Sequence, residues 1–285
     1  MSTRFLKTES GTFRVTINDD IEIDMNTRKK AIIGKLISVG GKNTCVFINA
    51  PNLKNTAVLL NVKTRDGCCE IFDKIISGRH TVTMINLAFT IVKEICPHIK
   101  FIELEDMSSF KCDLGEGKTC QISLAIYELA FHQSTWYERH FGAYLRVATG
   151  QNIYMKSKEG FNKQKPEIFS FNNNQLDILL TPIYKNTNTW KEFFDEIYKM
   201  EKRCKIMFPW YKNAVSLAMD GILYDTQQRI IDLSKITVIT YNPVKIGGRM
   251  NLMEHDGSPD SFDYEKQDTY NIRYSKSDFT KNTKN

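Results

Sequence analysis

The apolar residues of this chain change from a strand-like to a helical period near residue 80, and that change constrains most of what its first half can fold into. Phe13, Val15 and Ile17 alternate with polar residues, and so do Ile21, Ile23 and Met25, with Asn18-Asp19-Asp20 between the two sets. Side chains on a strand point to opposite faces in turn, so the pattern predicts two short strands joined by a turn. Residues 31–39 and 44–49 repeat it around Gly40-Gly41-Lys42-Asn43, a hairpin signal. Residues 57–63 form an apolar run suited to a strand buried on both faces. From Thr81 to Ile95 the spacing becomes helical. Val82, Ile85, Ala88, Phe89, Val92 and Ile95 make a stripe that Met84, Leu87 and Ile91 widen. Such a helix packs on a sheet. Pro97 stops it, and residues 100–104 are the next strand. Strand, helix, strand predicts a βαβ crossover with parallel strands.

The second half has a different texture. Residues 107–119 read as a polar loop, residues 122–131 as a helix, and residues 150–175 as a lysine-rich loop. Leu176 to Ile183 is apolar. Thr189 to Lys205 is an amphipathic helix with Trp190, Phe193, Phe194, Ile197 and Met200 on one face, opened by a Thr189/Glu192 capping box. Residues 210–233 read as a longer helix broken at Gly221, and residues 236–241 as a strand. The expected fold is therefore α/β in the α+β sense. It has a mixed, partly antiparallel sheet with one βαβ crossover, followed by a mainly helical C-terminal region. The expected domains are 10–150 and 151–250, with a loosely ordered tail at 251–285.

Composition narrows the function classes. With 39 basic and 33 acidic residues the chain carries +6, a bias too mild to select nucleic acid over an acidic cofactor or an anionic surface. No window approaches the roughly 20 apolar residues of a membrane helix, and the N-terminus has no apolar signal segment. Seven cysteines, an odd number, lead to an expectation of reduced thiols and a cytoplasmic location. Cysteine pairs with zinc-ligand spacing are absent from the sequence, so no metal is expected.

Three constellations could carry chemistry. Ser77-Gly78-Arg79-His80-Thr81 opens the helix, and a helix N-terminus presents free N–H groups to a phosphate. Glu103, Glu105 and Asp106 stand at the end of a strand, where α/β proteins bind ligands. In Trp136-Tyr137-Glu138-Arg139-His140, Glu138 and His140 are base candidates and Tyr137 an acid candidate, with His132 and His140 spaced for one helix face. Cys96 beside His98 is a weaker nucleophile candidate.

The order of these elements resembles the GCN5-related N-acetyltransferase superfamily. The residues that carry the likeness are Leu60-Asn61-Val62, the turn at residues 77–81, and the aromatic segment ending in Tyr137 and Phe141-Gly142. The resemblance implies an acyltransferase-like fold over about residues 10–145 and acetyl-CoA or another acyl-CoA as cofactor. It implies that Val62, Gly78, Arg79, His80 and Thr81 bind that cofactor, that Tyr137 protonates the leaving thiolate, and that Glu105 or Glu138 is the base for an amine acceptor. The turn departs from the family pattern in having one glycine, with Thr81, Val82 and Thr83 where small residues belong. Residues 105–141, from Glu105-Asp106-Met107 to Trp136-Tyr137-Glu138-Arg139-His140-Phe141, also resemble an uncharacterised protein family of large nucleocytoplasmic DNA viruses. That likeness implies a host cytoplasm or a virion, with virion or host proteins as partners. Three functions are thus expected in order: an N-acyltransferase-like protein, a non-enzymatic structural or interaction protein that keeps the fold as scaffold, and a nucleic-acid-associated factor.

Overall fold

The computed structural model describes residues 2–23, 28–41, 44–62, 79–171, 173–201, 203–221 and 228–244. The chain begins with five strands, β1 (Ser2–Thr8), β2 (Gly11–Ile23), β3 (Lys30–Gly40), β4 (Thr44–Pro51) and β5 (Thr56–Val62), and then helix α1 (Arg79–Ile95). Next come β6 (Phe101–Glu105), the pair β7 (Ser109–Gly115) and β8 (Lys118–Ser123), α2 (Leu124–His132), α3 (Trp136–Phe141) and β9 (Tyr144–Leu145). Helices α4 (Ala148–Lys158), α5 (Asn174–Lys185), α6 (Trp190–Tyr198), α7 (Arg203–Met207) and α8 (Tyr211–Ala218) follow, then β10 (Gln228–Asp232) and β11 (Asn242–Val244). Two compact units divide these elements: one runs to Ile99 and resumes at Thr237, the other is Lys100–Ile236. The boundary expected at residue 150 lies inside the second.

In the first unit the strands are ordered β11-β1-β2-β3-β4-β5, every pair antiparallel. One face of the sheet supplies Phe13, Val15, Ile37, Val39, Val46, Ile48, Ala57 and Leu59, and α1 covers it with Met84, Ile85, Ala88, Phe89 and Val92, all buried. The helical stripe thus does what its width predicts. The turn expected at Asn18-Asp19-Asp20 is instead the middle of one long strand. Asp19 pairs across the ladder with Lys35, whose Nζ donates to Asp19 Oδ1 at 2.5 Å, and Asn49 Nδ2 donates to Asp20 Oδ2 at 3.1 Å. These cross-strand partners satisfy polar groups that would otherwise favour a turn. The strand expected at residues 236–241 is not formed; the strand there is the shorter β11, which joins the outer edge of β1.

The second unit has the antiparallel order β6-β10-β9, with β7 and β8 as a separate hairpin. Three sequence expectations are corrected here. Residues 107–119 form most of that hairpin rather than a loop. Residues 148–158 form α4. Residues 228–232, read as the end of a long helix, are strand β10. Ile230 and Ile231 are β-branched and fit a pleated ladder between two strands. The chain leaves α8 through Gly221 at φ +81°, a left-handed conformation that glycine reaches without strain. The strands of the crossover expected between residues 57–63 and 100–104, β5 and β6, fall in different units.

Aromatic side chains fill the second core. Phe171, Phe193 and Phe194 surround Trp210 at ring distances of 5.2, 5.6 and 6.0 Å. Such rings bury large apolar areas and favour offset or edge-on contacts. The capping box at Thr189 and Glu192 opens α6 as predicted. Cys112 on β7 and Cys204 in α7 form a disulfide, and Cys45 is also disulfide-bonded. The expectation of reduced thiols is corrected accordingly. The sequence separation of 92 explains why spacing could not reveal the Cys112–Cys204 pairing.

Candidate functional site

Helix α3 carries three of the residues singled out in the sequence, Tyr137, Glu138 and His140, and the first two face different neighbours. Thr135 caps it: its Oγ1 accepts from Glu138 N at 3.4 Å while Glu138 Oε2 accepts from Thr135 N at 3.3 Å. Gly142, at φ 62°, closes the helix in the left-handed conformation. The Glu138 carboxylate is held further from α4. Lys158 Nζ donates to Oε1 at 2.6 Å, and the Tyr154 hydroxyl donates to Oε2 at 2.7 Å. Both oxygens are therefore engaged. Tyr137, one residue earlier, is only 4% exposed. Its hydroxyl bonds to the Ser108 side chain, and burial pushes the phenol above its ordinary value, with the negative charge of Asp106 adding to the effect.

Glu105 is half-buried at the end of β6, opposite Gln228 of β10. Glu103, two residues earlier, accepts from Arg146 Nη1 at 2.8 Å. Asp106 is buried. Tyr137, Glu138 and Glu105 are thus drawn toward Ser108, toward α4 and into the β6–β10 ladder respectively. His132 and His140, expected on one helix, lie on α2 and α3. Cys96 is buried with its thiol raised by desolvation, and His98 Nε2 meets Pro51 O at 3.0 Å.

The cofactor residues implied by the resemblance belong to the first unit. Val62 ends β5 opposite Val46, half-buried. Arg79 and His80 are the first residues of α1, and Thr81 follows with 9% exposure. The Thr83 hydroxyl donates to Ser10 Oγ at 3.1 Å. Gly78 lies outside the described residues.

Three groups that the sequence reading missed complete the buried polar chemistry of the second unit. Arg229 is fully buried, with its guanidinium 5.1 Å from the Tyr154 ring centre and interacting with the Tyr154 hydroxyl. Burial, first of all, pushes the Tyr154 phenol above its ordinary value. On the other side of α3, Arg139 Nη2 donates to Glu128 Oε2, and His132 Nε2 lies 4.0 Å from the same oxygen. Burial raises the Glu128 carboxyl while Arg139 pulls it back. Glu138 was noticed, but its partners are 16 and 20 residues away on another helix, a distance at which no local pattern operates.

His132 gives this cluster a pH dependence. Burial, then the Arg139 and Arg203 guanidiniums, hold its imidazole below the ordinary value. A lowered value in the folded state means stability that is present above about pH 6.5 and is lost as the pH falls. Thermal melts between pH 7.5 and 5.5 should therefore fall less steeply for His132→Gln than for the wild type. The comparison also separates the imidazole from Glu128, whose raised carboxyl acts in the opposite sense. Equal slopes would remove His132 as the cause.

Comparison with family models, curated proteins and solved structures finds no match to this chain.

Proposed function

We propose that this chain is a non-catalytic interaction protein that uses an acyltransferase-like order of elements as a scaffold. The observation that carries this reading is the internal use of the proton-transfer candidates. Both oxygens of Glu138 hold α3 to α4, and Tyr137 is buried with its hydroxyl on Ser108. A base must give up one partner to accept a proton, and an acid must reach the departing group. Here either act would unmake part of the second unit. Folds commonly outlive the chemistry of their sites. The likeness to proteins of large DNA viruses gives this reading its setting, a virion or the cytoplasm of an infected cell, with virion or host proteins as partners.

A second reading, acyl-CoA binding at the start of α1, is favoured by the succession of β5 and a helix opening on Arg79-His80-Thr81. Calorimetry with acetyl-CoA at millimolar concentration decides between them. The interaction reading expects no heat and no rise in melting temperature. Heat of binding with a rise of several degrees, together with acetylation of an added amine, would replace it with the transferase reading.

A further inference from the structure

We infer that the outer half of β2 is a strand-addition site for an extended segment that alternates apolar and basic residues. This deepens the interaction reading and rests on it. Strand β1 covers β2 only as far as Ile17, which pairs with Ser2. Beyond that point, residues 18–23 continue in a ladder with β3 alone, and no described strand lies on their other side. The opposite edge of this two-stranded arm is engaged at Ile32 and Ile33. Asn52 donates through its backbone N to Ile33 O at 2.8 Å and through Nδ2 to Ile32 O at 3.0 Å. The backbone of β2 from Asn18 to Ile23 is therefore the open edge, about 20 Å long at the usual rise per residue. An open edge presents N–H and C=O groups that pair readily with another strand.

The side chains state what that strand should carry. On the face shared with buried Phe13 and Val15, the arm exposes Ile21, Ile23 and, paired with Ile21, Ile32; these are 51%, 50% and 55% exposed. Water-facing isoleucines in a row on an isolated pair of strands are an unusual expense in a monomer and suit a covering partner. The other face holds acceptors. Asn18, Asp20 and Glu22 follow one another there by alternation, and Asn49 reaches the same face across Leu36. Among the described residues, Asn18 Oδ1 and Asn49 Oδ1 are buried without a hydrogen-bond partner, and Asp20 Oδ2 accepts from the amide of Asn49. Glu22 is exposed. On the edge strand itself an acceptor without a described donor, Asn18 Oδ1, beside the carboxylates of Asp20 and Glu22, calls for lysine or arginine, which bring only donors and positive charge. Apolar residues of the incoming strand would lie beside Ile21 and Ile23, and basic ones beside Asp20 and Glu22.

The test uses the full chain and a labelled peptide with the repeat Lys-Ile, and a control with the repeat Glu-Ile, read by fluorescence anisotropy. The expected result is binding of the basic peptide only, weakening as salt rises. Glu22→Lys should loosen binding about tenfold through reversed charge at the rim, and Ile21→Ser should loosen it by a similar factor. Both positions are exposed, so neither change threatens the fold, and unchanged melting curves check that. Equal binding of the two peptides, or no effect of either substitution, would overturn the inference. So would concentration-dependent dimers in sedimentation that disappear with Ile21→Ser, since the occupant would then be a second copy. Failure here leaves the interaction reading standing, because that reading is tested separately, by acetyl-CoA binding and turnover.

Discussion

Glu138→Ala is expected to destabilise the second unit by about 3 kcal/mol, as removal of one partner from a buried ion pair does. The substitution strips Lys158 of its counter-charge, Tyr154 of its acceptor and Thr135 N of its cap at once. The pair is well shielded, with side-chain exposures of 15% for Lys158 and 18% for Glu138, so solvent screening offsets little of the loss. Urea unfolding followed by tryptophan fluorescence reads the change, since Trp190 and Trp210 lie in the same unit. Glu138→Gln should cost less, because an amide oxygen still accepts a hydrogen bond and only the charge is removed. A residue serving only as a base would behave the other way, with full stability in both variants. Stability unchanged in Glu138→Ala would therefore undo the main support for the non-catalytic reading.

The second large effect is expected at the disulfide. Cys112 and Cys204 close a loop with a sequence separation of 92, and a cross-link over such a span lowers unfolded-chain entropy by about 4 kcal/mol at room temperature. Cys204→Ser should lose that much in denaturant unfolding under oxidising conditions and nothing under reducing ones. Cys120 complicates the measurement, because it is free, stands directly opposite Cys112 in the β7–β8 ladder and can pair with the released thiol. The Cys120→Ser/Cys204→Ser double variant removes that route. A wild type whose stability does not change on adding reductant would show that the cross-link contributes nothing.

What the sequence disclosed depended on whether the deciding partner was near in the chain. The stripe from Val82 to Ile95 repeats within one helix, and α1 forms where it lies. Thr189 and Glu192 cap α6 from three residues apart. Asn18-Asp19-Asp20 misled because the groups that donate to Asp19 and Asp20, Lys35 on β3 and Asn49 on β4, lie 16 and 29 residues away in the chain. Gln228–Asp232 misled because Ile230 and Ile231 fit a helix face as well as a ladder, and β6 and β9 decided the matter. The site followed the same rule. Tyr137 and Glu138 were visible as chemically capable side chains, but the Ser108, Tyr154 and Lys158 contacts that occupy them come from other elements. Arg229 left no local sign at all, since only the ladder on both sides of β10 places a cation in the interior.

The pairing of β11 with β1 has a consequence for how the chain is made. The first unit holds residues from both sides of Lys100–Ile236, so its sheet cannot be finished while the second unit is still being synthesised. At ordinary translation rates about 140 further residues take roughly ten to thirty seconds. For that interval β1 waits with its outer edge bare; at its end the second unit has all of its described strands and both halves of its Cys112–Cys204 cross-link, while β11 has yet to be made. The unit that begins later in the sequence is thus the first that can be completed.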